Sequence, residues 1–232
     1  MTIAARRPPT ADRKPAMKID FVSDIACPWC AIGLNALEQA LARIGPGMQA
    51  SLHFQPFELN PQMGADGQEI VEHLGQKYGI DAAQIAANTE AIRQRGATVG
   101  FTFGIGKRSR IYNTFDAHRL LHWAGLAGAA PQRALKHALL KAYFTDGQNP
   151  SDPEVLVQAA IAAGLDEAGA RAVLASDAYT TDVRQAEAFY QQQGIHSVPA
   201  VIINDRHLIS GGQPVEVFER ALRQIAAEAV PG

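Results

Sequence analysis

The pattern of apolar and polar positions predicts strands near both ends of the chain and helices between them. The runs KIDFVS (residues 18–23) and SLHFQPFEL (residues 51–59) have the apolar content and alternation of short strands. A helix between them is predicted by apolar residues at one-face spacing: Leu34, Leu37, Leu41 and Ile44. The chain therefore opens with a strand, a helix and a second strand.

The middle of the chain has a different pattern. From about Asp66 to Ser176 it consists mostly of Ala-rich helical segments, with helix-starting residues at Asp81, Asp152 and Asp166. No convincing strand follows any of these helices. We expect residues 66–176 to form a helical insertion.

Strands resume towards the end of the chain. A helix is predicted over residues 178–193, and AVII (residues 200–203) and HLIS (residues 207–210) read as a hairpin that leads into a last helix. The predicted fold is an α/β domain formed by residues 18–65 and 177–229, interrupted by the insertion.

Composition and charge exclude several classes of protein. The chain has 232 residues, 47% of them apolar and 19% charged, with a mean hydropathy of −0.09, as in ordinary globular proteins. No apolar run reaches the length of a membrane span. A formal net charge of −2 produces no overall field that would attract nucleic acid or anionic lipid. We expect neither nucleic acid nor membrane as a partner.

The first sixteen residues predict a disordered leader. Residues 1–16 are rich in Pro, Arg and Ala and lack the apolar stretch of a signal peptide. Two cysteines in the whole sequence also give no disulfide framework that would need an oxidising compartment. A cytoplasmic location is expected.

Those two cysteines, Cys27 and Cys30, carry the chemical prediction. They lie where the first strand meets the first helix, and the unpaired N–H groups and dipole of a helix start favour a thiolate. We expect Cys27 to be the reactive, partly exposed thiol and Cys30 to resolve a mixed disulfide formed at Cys27. Pro28 suits the first helical position, and Trp29 would offer an apolar surface to a substrate.

Other uses of the cysteines are less favoured. Zinc usually takes four ligands, and no second C-x-x-C or His pair at finger spacing follows, so no metal is expected. His118 and His122 are four residues apart but lack the glutamate of H-E-x-x-H, which favours a packing role. Two incidental cysteines are also conceivable, but their position between a strand and an amphipathic helix favours redox chemistry.

Two further positions stand out in the sequence. Pro199 opens a predicted strand, and the Val198–Pro199 bond could be cis, although a trans bond is the commoner outcome for any X-Pro pair. Asp24, three residues before Cys27, is a candidate proton acceptor. A structural carboxylate in a turn is at least as good an explanation for Asp24.

The segments FVSDIACPWCAIG and GIHSVPAVIIN together resemble the thioredoxin superfamily, and the long helical insertion resembles the DsbA family. The segments SDIACPWCAIG, YNTFDAHRLLHWA and SGGQP resemble its cytoplasmic FrnE-like branch. The resemblance implies a thioredoxin-like fold with a large inserted helical domain. It also implies that Cys27 is the nucleophile, that Cys30 is the resolving thiol, and that Val198–Pro199 is a cis-proline dipeptide whose backbone pairs with bound peptide.

The expected function is that of a thiol–disulfide oxidoreductase or isomerase acting on protein or peptide disulfides through a mixed disulfide. It needs no cofactor beyond its dithiol, and glutathione stays open as a co-substrate. The secreted DsbA oxidants carry His between their cysteines, whereas Pro28 and Trp29 add no cation here. We therefore expect a less oxidising couple.

Two alternatives stay open. Kappa-class glutathione transferases and 2-hydroxychromene-2-carboxylate isomerases resemble the same scaffold, but they generally carry Ser where Cys27 stands. A chaperone-like binding protein would use an apolar groove and need no thiols. The sequence leaves open the redox potential, the natural substrate and the oligomeric state, with a homodimer among the assemblies that would fit.

Overall fold

The computed structural model describes residues 17–64 and 66–228, so the predicted leader at residues 1–16 lies outside the described residues. In chain order the strands are β1 (Met17–Ser23), β2 (Ala50–Pro56), β3 (Gln68–Glu69), β4 (Arg110–Ile111), β5 (Ala200–Ile203) and β6 (His207–Ser210). The helices are α1 (Pro28–Ile44), α2 (Ile70–Tyr78), α3 (Ala82–Thr98), α4 (Phe115–Ala127), α5 (Ala129–Leu140), α6 (Pro153–Ala162), α7 (Glu167–Leu174), α8 (Thr180–Gln192) and α9 (Val215–Glu228).

Both ends of the described chain contribute to one four-stranded sheet. Its order is β2-β1-β5-β6, with β1 parallel to β2 and antiparallel to β5, and β5 antiparallel to β6. In the central register Phe21 aligns with Phe54 on one side and with Val201 on the other. These pairings confirm the predicted fold class, because the sheet joins segments on either side of the helical insertion. The exact domain boundaries stay a prediction.

The helix α1 follows the sequence pattern closely. It begins at Pro28, where the missing N–H of proline costs no hydrogen bond, and it stops at Gly45, whose φ is 72°. Leu34 and Leu37 on its apolar face are fully buried, and α1 packs against α9. The carboxyl end of the central strand β1 therefore leads directly into the first turn of a firmly packed helix.

The insertion is mainly helical, as predicted, and its helix starts are capped. The side chains of Asp81, Asp152 and Asp166 each accept a hydrogen bond from a backbone N–H in the first turn of α3, α6 and α7. The expectation of no strand here was wrong in one detail, because β3 and β4 pair to form a small sheet. Two residues per strand are too few to show an alternating pattern.

One helix of the insertion covers the edge of the main sheet. The side chain of Gln132 on α5 accepts a hydrogen bond from the backbone N–H of Phe54 at 3.1 Å and donates one to its carbonyl at 3.2 Å. These bonds satisfy backbone groups of β2 that face away from β1. The helix α5 is thereby fixed beside the strand that carries Phe54.

Within residues 17–64 and 66–228, the structure contains no helix that combines the length and apolar character needed to cross a membrane.

Candidate active site

The two thiols lie at the start of α1, as the sequence predicted. Cys27 occupies the position before the first helical residue, and the backbone N–H of Cys30 donates to the carbonyl of Cys27 at 3.1 Å. Both thiols are free. The expectation that Cys27 is partly exposed was wrong, because only 4% of it is accessible, while Cys30 is fully buried.

The backbone of Val198 is one reason for the burial of Cys27. The thiol of Cys27 donates to the carbonyl of Val198 at 3.6 Å, across 171 residues of sequence. The peptide bond between Val198 and Pro199 is cis. The structure therefore places the second predicted motif directly beside the first.

The electrostatic surroundings distinguish the two cysteines. Burial raises the pKa of the Cys30 thiol well above its usual value, and the neighbouring Cys27 raises it further. The positive charge of Lys136 acts in the opposite direction. Cys27 lies one position before α1, whose first backbone N–H groups have no partners within the helix.

Asp24 is fully enclosed in the turn between β1 and α1. One carboxylate oxygen accepts from the backbone N–H of Ala26 at 3.2 Å, and the other accepts from that of Leu59 at 2.7 Å. The imidazole of His118 lies 3.5 Å from the first oxygen. Burial raises the pKa of Asp24, but His118 and the Leu59 amide outweigh it, so the pKa lies below its ordinary value. The role of proton acceptor stays a prediction, and these contacts favour an anchor for the turn.

Replacing Asp24 by Asn should lower the free energy of unfolding at neutral pH by about 1–3 kcal/mol, because a buried charged acceptor is lost. The folded-state pKa of Asp24 lies below that of the unfolded chain. The stabilisation is therefore present above about pH 4 and is lost as the pH falls through the folded-state pKa. Urea unfolding between neutral and acid pH measures both effects. An equal loss in Asp182→Asn, an exposed site on α8, would contradict the anchor role.

Trp29 stands at the surface next to the thiols. It is 41% exposed, and its role as an apolar surface for a substrate stays a prediction. Its backbone lies against the Gly-Gly turn after β6, since a Cβ atom on Gly212 would come within 2.8 Å of the Trp29 carbonyl oxygen. The sequence motif SGGQP thus packs on the first turn of α1.

Gly212→Ala should therefore destabilise the protein by about 1–3 kcal/mol, because backbone atoms must move to admit the new methyl group. Gly47→Ala is the matched control, since a Cβ atom there meets nothing within 4 Å. Urea unfolding of both variants checks this expectation. Equal midpoints for the two variants would show that the contact between Gly212 and Trp29 is not tight.

Two buried polar groups near the thiols, His118 and Lys136, were not predicted from the sequence to belong to the site. His118 was assigned a packing role, yet it faces Asp24. Lys136 on α5 was not singled out at all, and it is fully buried. The sequence did contain a sign of this burial, because Gln132 and Lys136 occupy the same helical face as Leu135 and Leu139.

Within the part of the chain that the structure describes, no cluster of three or more His, Cys, Asp or Glu residues could hold a metal ion.

Comparisons with known proteins agree with this architecture. The family model of the DSBA-like thioredoxin domain matches residues 18–223. A crystal structure of a probable DsbA oxidoreductase from Streptomyces coelicolor is 36% identical, with a TM-score of 0.84 over 93% of this chain and 92% of that chain.

Two more distant solved structures share the fold alone. A 2-hydroxychromene-2-carboxylate isomerase is 16% identical, with a TM-score of 0.65 over 91% of this chain and 97% of that chain. The cytosolic disulfide reductase DsbM from Pseudomonas aeruginosa, solved with GSH, is 15% identical, with a TM-score of 0.61 over 90% and 99% of the two chains.

Proposed function

The chain belongs to the family of DSBA-like thioredoxin domains, and from this premise we propose that it exchanges disulfides with protein or peptide substrates through Cys27 and Cys30. The observation that carries the proposal is the position of the Cys27 sulfur. It lies at the start of α1 and within 3.6 Å of the Val198 carbonyl. A helix start stabilises the attacking thiolate, and the neighbouring backbone provides a surface for a peptide.

The proposed cycle has two exchange steps. The thiolate of Cys27 attacks one sulfur of a substrate disulfide, and the other substrate sulfur leaves as a thiolate and takes up a proton. Cys30 then loses its proton and attacks the sulfur of Cys27, which releases the second substrate sulfur. The substrate gains two electrons and the cysteine pair loses them, and the reverse sequence oxidises a substrate dithiol.

Pro28, Trp29 and Val198 would form the substrate surface around the thiols, with the buried Pro199 directly after Val198. The exposed indole of Trp29 suits an apolar substrate side chain. A peptide lying beside Val198 would bind through main-chain hydrogen bonds, as an added strand does. Such binding depends on the peptide backbone rather than on a particular side-chain sequence. It would therefore accept disulfide-containing substrates of many sequences.

The direction of exchange follows from the residues between the cysteines. Neither Pro28 nor Trp29 carries a positive charge that would stabilise the reduced thiolate form. We therefore propose that the Cys27–Cys30 couple is less oxidising than that of the secreted DsbA oxidants. A couple of this kind would work in the cytoplasm with glutathione as its redox partner. It is also what we expect of a member of the FrnE-like branch. Isomerisation of non-native disulfides would use the same Cys27 mixed disulfide.

A glutathione-dependent isomerase of the 2-hydroxychromene-2-carboxylate type is the second candidate, because such an enzyme shares the fold. The chemistry of the site weighs against it. A glutathione joined to Cys27 would be displaced by Cys30, whereas an isomerase must keep its glutathione intact. Tight glutathione binding by the double variant Cys27→Ser, Cys30→Ser, measured by calorimetry, would favour this candidate.

Insulin reduction with glutathione as the reductant, together with oxidative refolding of a reduced model protein, tests the proposed function. We expect the wild-type protein to accelerate at least one of these reactions well above the uncatalysed rate. Acceleration of neither would contradict the proposal. Suppression of aggregation that persists without either thiol would instead identify a chaperone-like binding protein.

A further inference from the structure

Lys136 is an unusual residue for the interior of a protein. Its side chain is fully buried, and its Nζ atom has no hydrogen-bond partner among the described residues. A buried ammonium group without a partner opposes folding, because no hydrogen bond or ion pair offsets its loss of hydration. Lysines are rarely retained in such places unless their charge is used.

The position of Lys136 is fixed by the packing of α5. It lies one helical turn after Gln132, whose side chain bonds both backbone groups of Phe54. The Nζ atom of Lys136 lies 5.9 Å from the centre of the Phe54 ring. That ring in turn packs edge-on against Phe21 of β1, with 6.0 Å between ring centres. The ammonium group of Lys136 therefore lies in the core beside β2 and close to β1, the strand that precedes the turn to Cys27.

The acidic groups that act on Lys136 are those of the candidate site. Burial lowers the pKa of Lys136 to about 8, and the charges of Cys30, Asp24 and Cys27 act against this fall. Other titratable groups on neighbouring elements have partners of their own: His118 contacts Asp24, His53 bonds Ser51, and Tyr143 donates to the Arg110 carbonyl. Among these acidic groups Cys30 acts most strongly on Lys136, and both residues are fully buried, whereas Asp24 already accepts backbone hydrogen bonds from Ala26 and Leu59.

We propose that Lys136 is a positioning residue for the resolving step, in which its buried positive charge stabilises the Cys30 thiolate that attacks the mixed disulfide. This inference rests on the proposed function, since it concerns the second of the two exchange steps. It assigns a role to a residue of the helical insertion, outside the segments that carry the thiols and the cis-proline.

The resolving step needs such help because Cys30 is buried. Burial raises the pKa of Cys30, and the charge of Lys136 lowers it. When Cys27 is joined to glutathione, Cys30 must lose its proton to attack. The new bond joins the sulfurs of Cys27 and Cys30, the bond from Cys27 to glutathione breaks, and the departing glutathione thiolate takes up a proton. A charge that is already in place stabilises the attacking thiolate without any rearrangement.

The inference predicts the pH dependence of the resolving rate. In the wild-type protein the rate should rise with pH as the pair formed by Cys30 and Lys136 loses its first proton. Without Lys136 the rise should be displaced to higher pH, because the Cys30 thiolate forms less readily. The two proteins should therefore differ most at the lower end of the pH range and converge as the pH rises.

Stopped-flow mixing of the reduced protein with glutathione disulfide separates the two steps. We expect Lys136→Met to leave the first phase, mixed-disulfide formation at Cys27, within about threefold of wild type. The second phase should slow about tenfold at neutral pH, the net effect of a less stable but more nucleophilic thiolate. Lys141→Met is the control, because Lys141 is exposed and pairs with Asp146 at 2.6 Å. It should change neither phase.

The outcomes separate the two proposals. A wild-type protein that forms no mixed disulfide contradicts the proposed function. A wild-type protein with both phases, together with a Lys136→Met variant whose second phase and pH profile are unchanged, overturns only the inference about Lys136. Circular dichroism and urea unfolding show whether the variant is folded, and Lys136→Gln, which keeps polarity without charge, replaces it if it is not. The Gln variant should reproduce the slower second phase.

Discussion

Cys27→Ser should lower the rate of insulin reduction or oxidative refolding at least about a hundredfold, because a serine hydroxyl stays protonated at neutral pH and forms no disulfide. The fold should survive, since the side chain of Cys27 donates one weak hydrogen bond, to the Val198 carbonyl, and its backbone hydrogen bonds are unchanged by the substitution. The measurement is the initial rate with wild type and variant at equal concentration, with unfolding midpoints recorded in parallel.

Ala26→Ser is the matched control for this loss. It introduces a hydroxyl at the adjacent buried position while leaving both thiols in place. Its rate should stay within about threefold of wild type, the ordinary effect of a small change near a site. Equal activity of wild type and Cys27→Ser would remove Cys27 from the mechanism and with it the proposed cycle.

Cys30→Ser should trap the reaction halfway. Cys27 can still attack a substrate disulfide, but no second thiol is present to release the product. We expect the mixed disulfide between Cys27 and a substrate to become the main species within one turnover, whereas it is transient in the wild type. Non-reducing electrophoresis and mass spectrometry of the quenched mixture measure its amount.

The trapped species also tests which thiol attacks first. The double variant Cys27→Ser, Cys30→Ser should form no adduct. An adduct that accumulates in Cys27→Ser but not in Cys30→Ser would reverse the assigned roles. This result would conflict with the geometry, because Cys30 is fully buried one turn into α1.

Local patterns were enough to predict much of the fold. The residues of β5 and β6 match the predicted hairpin, and the start of α1 at Pro28 follows from the rules for proline. Helix boundaries were predicted less accurately where the backbone adopts an unusual conformation. The helix predicted from residue 178 begins at Thr180, because Tyr179 adopts a left-handed conformation with φ 63°.

The parts of the site that depend on tertiary packing could not be predicted from local patterns. The contact of Cys27 with Val198 spans 171 residues of sequence, and only the resemblance to a known family implied a role for Val198. The burial of Lys136 depends on α5 lying against β2, and the sequence does not specify which elements the helices of the insertion contact. A polar residue on an apolar face is a signal that something unusual is buried, but it does not identify the neighbouring group.

The proposed cycle requires the sulfurs of Cys27 and Cys30 to join and separate reversibly, which a redox titration measures. The wild-type protein is equilibrated in glutathione buffers of graded ratio, quenched with acid and weighed by mass spectrometry. We expect a single reversible transition in which the protein loses two hydrogen atoms on oxidation and regains them on reduction, with no lasting glutathione adduct. A mass that never changes, or a glutathione adduct that persists as the end product, would contradict it.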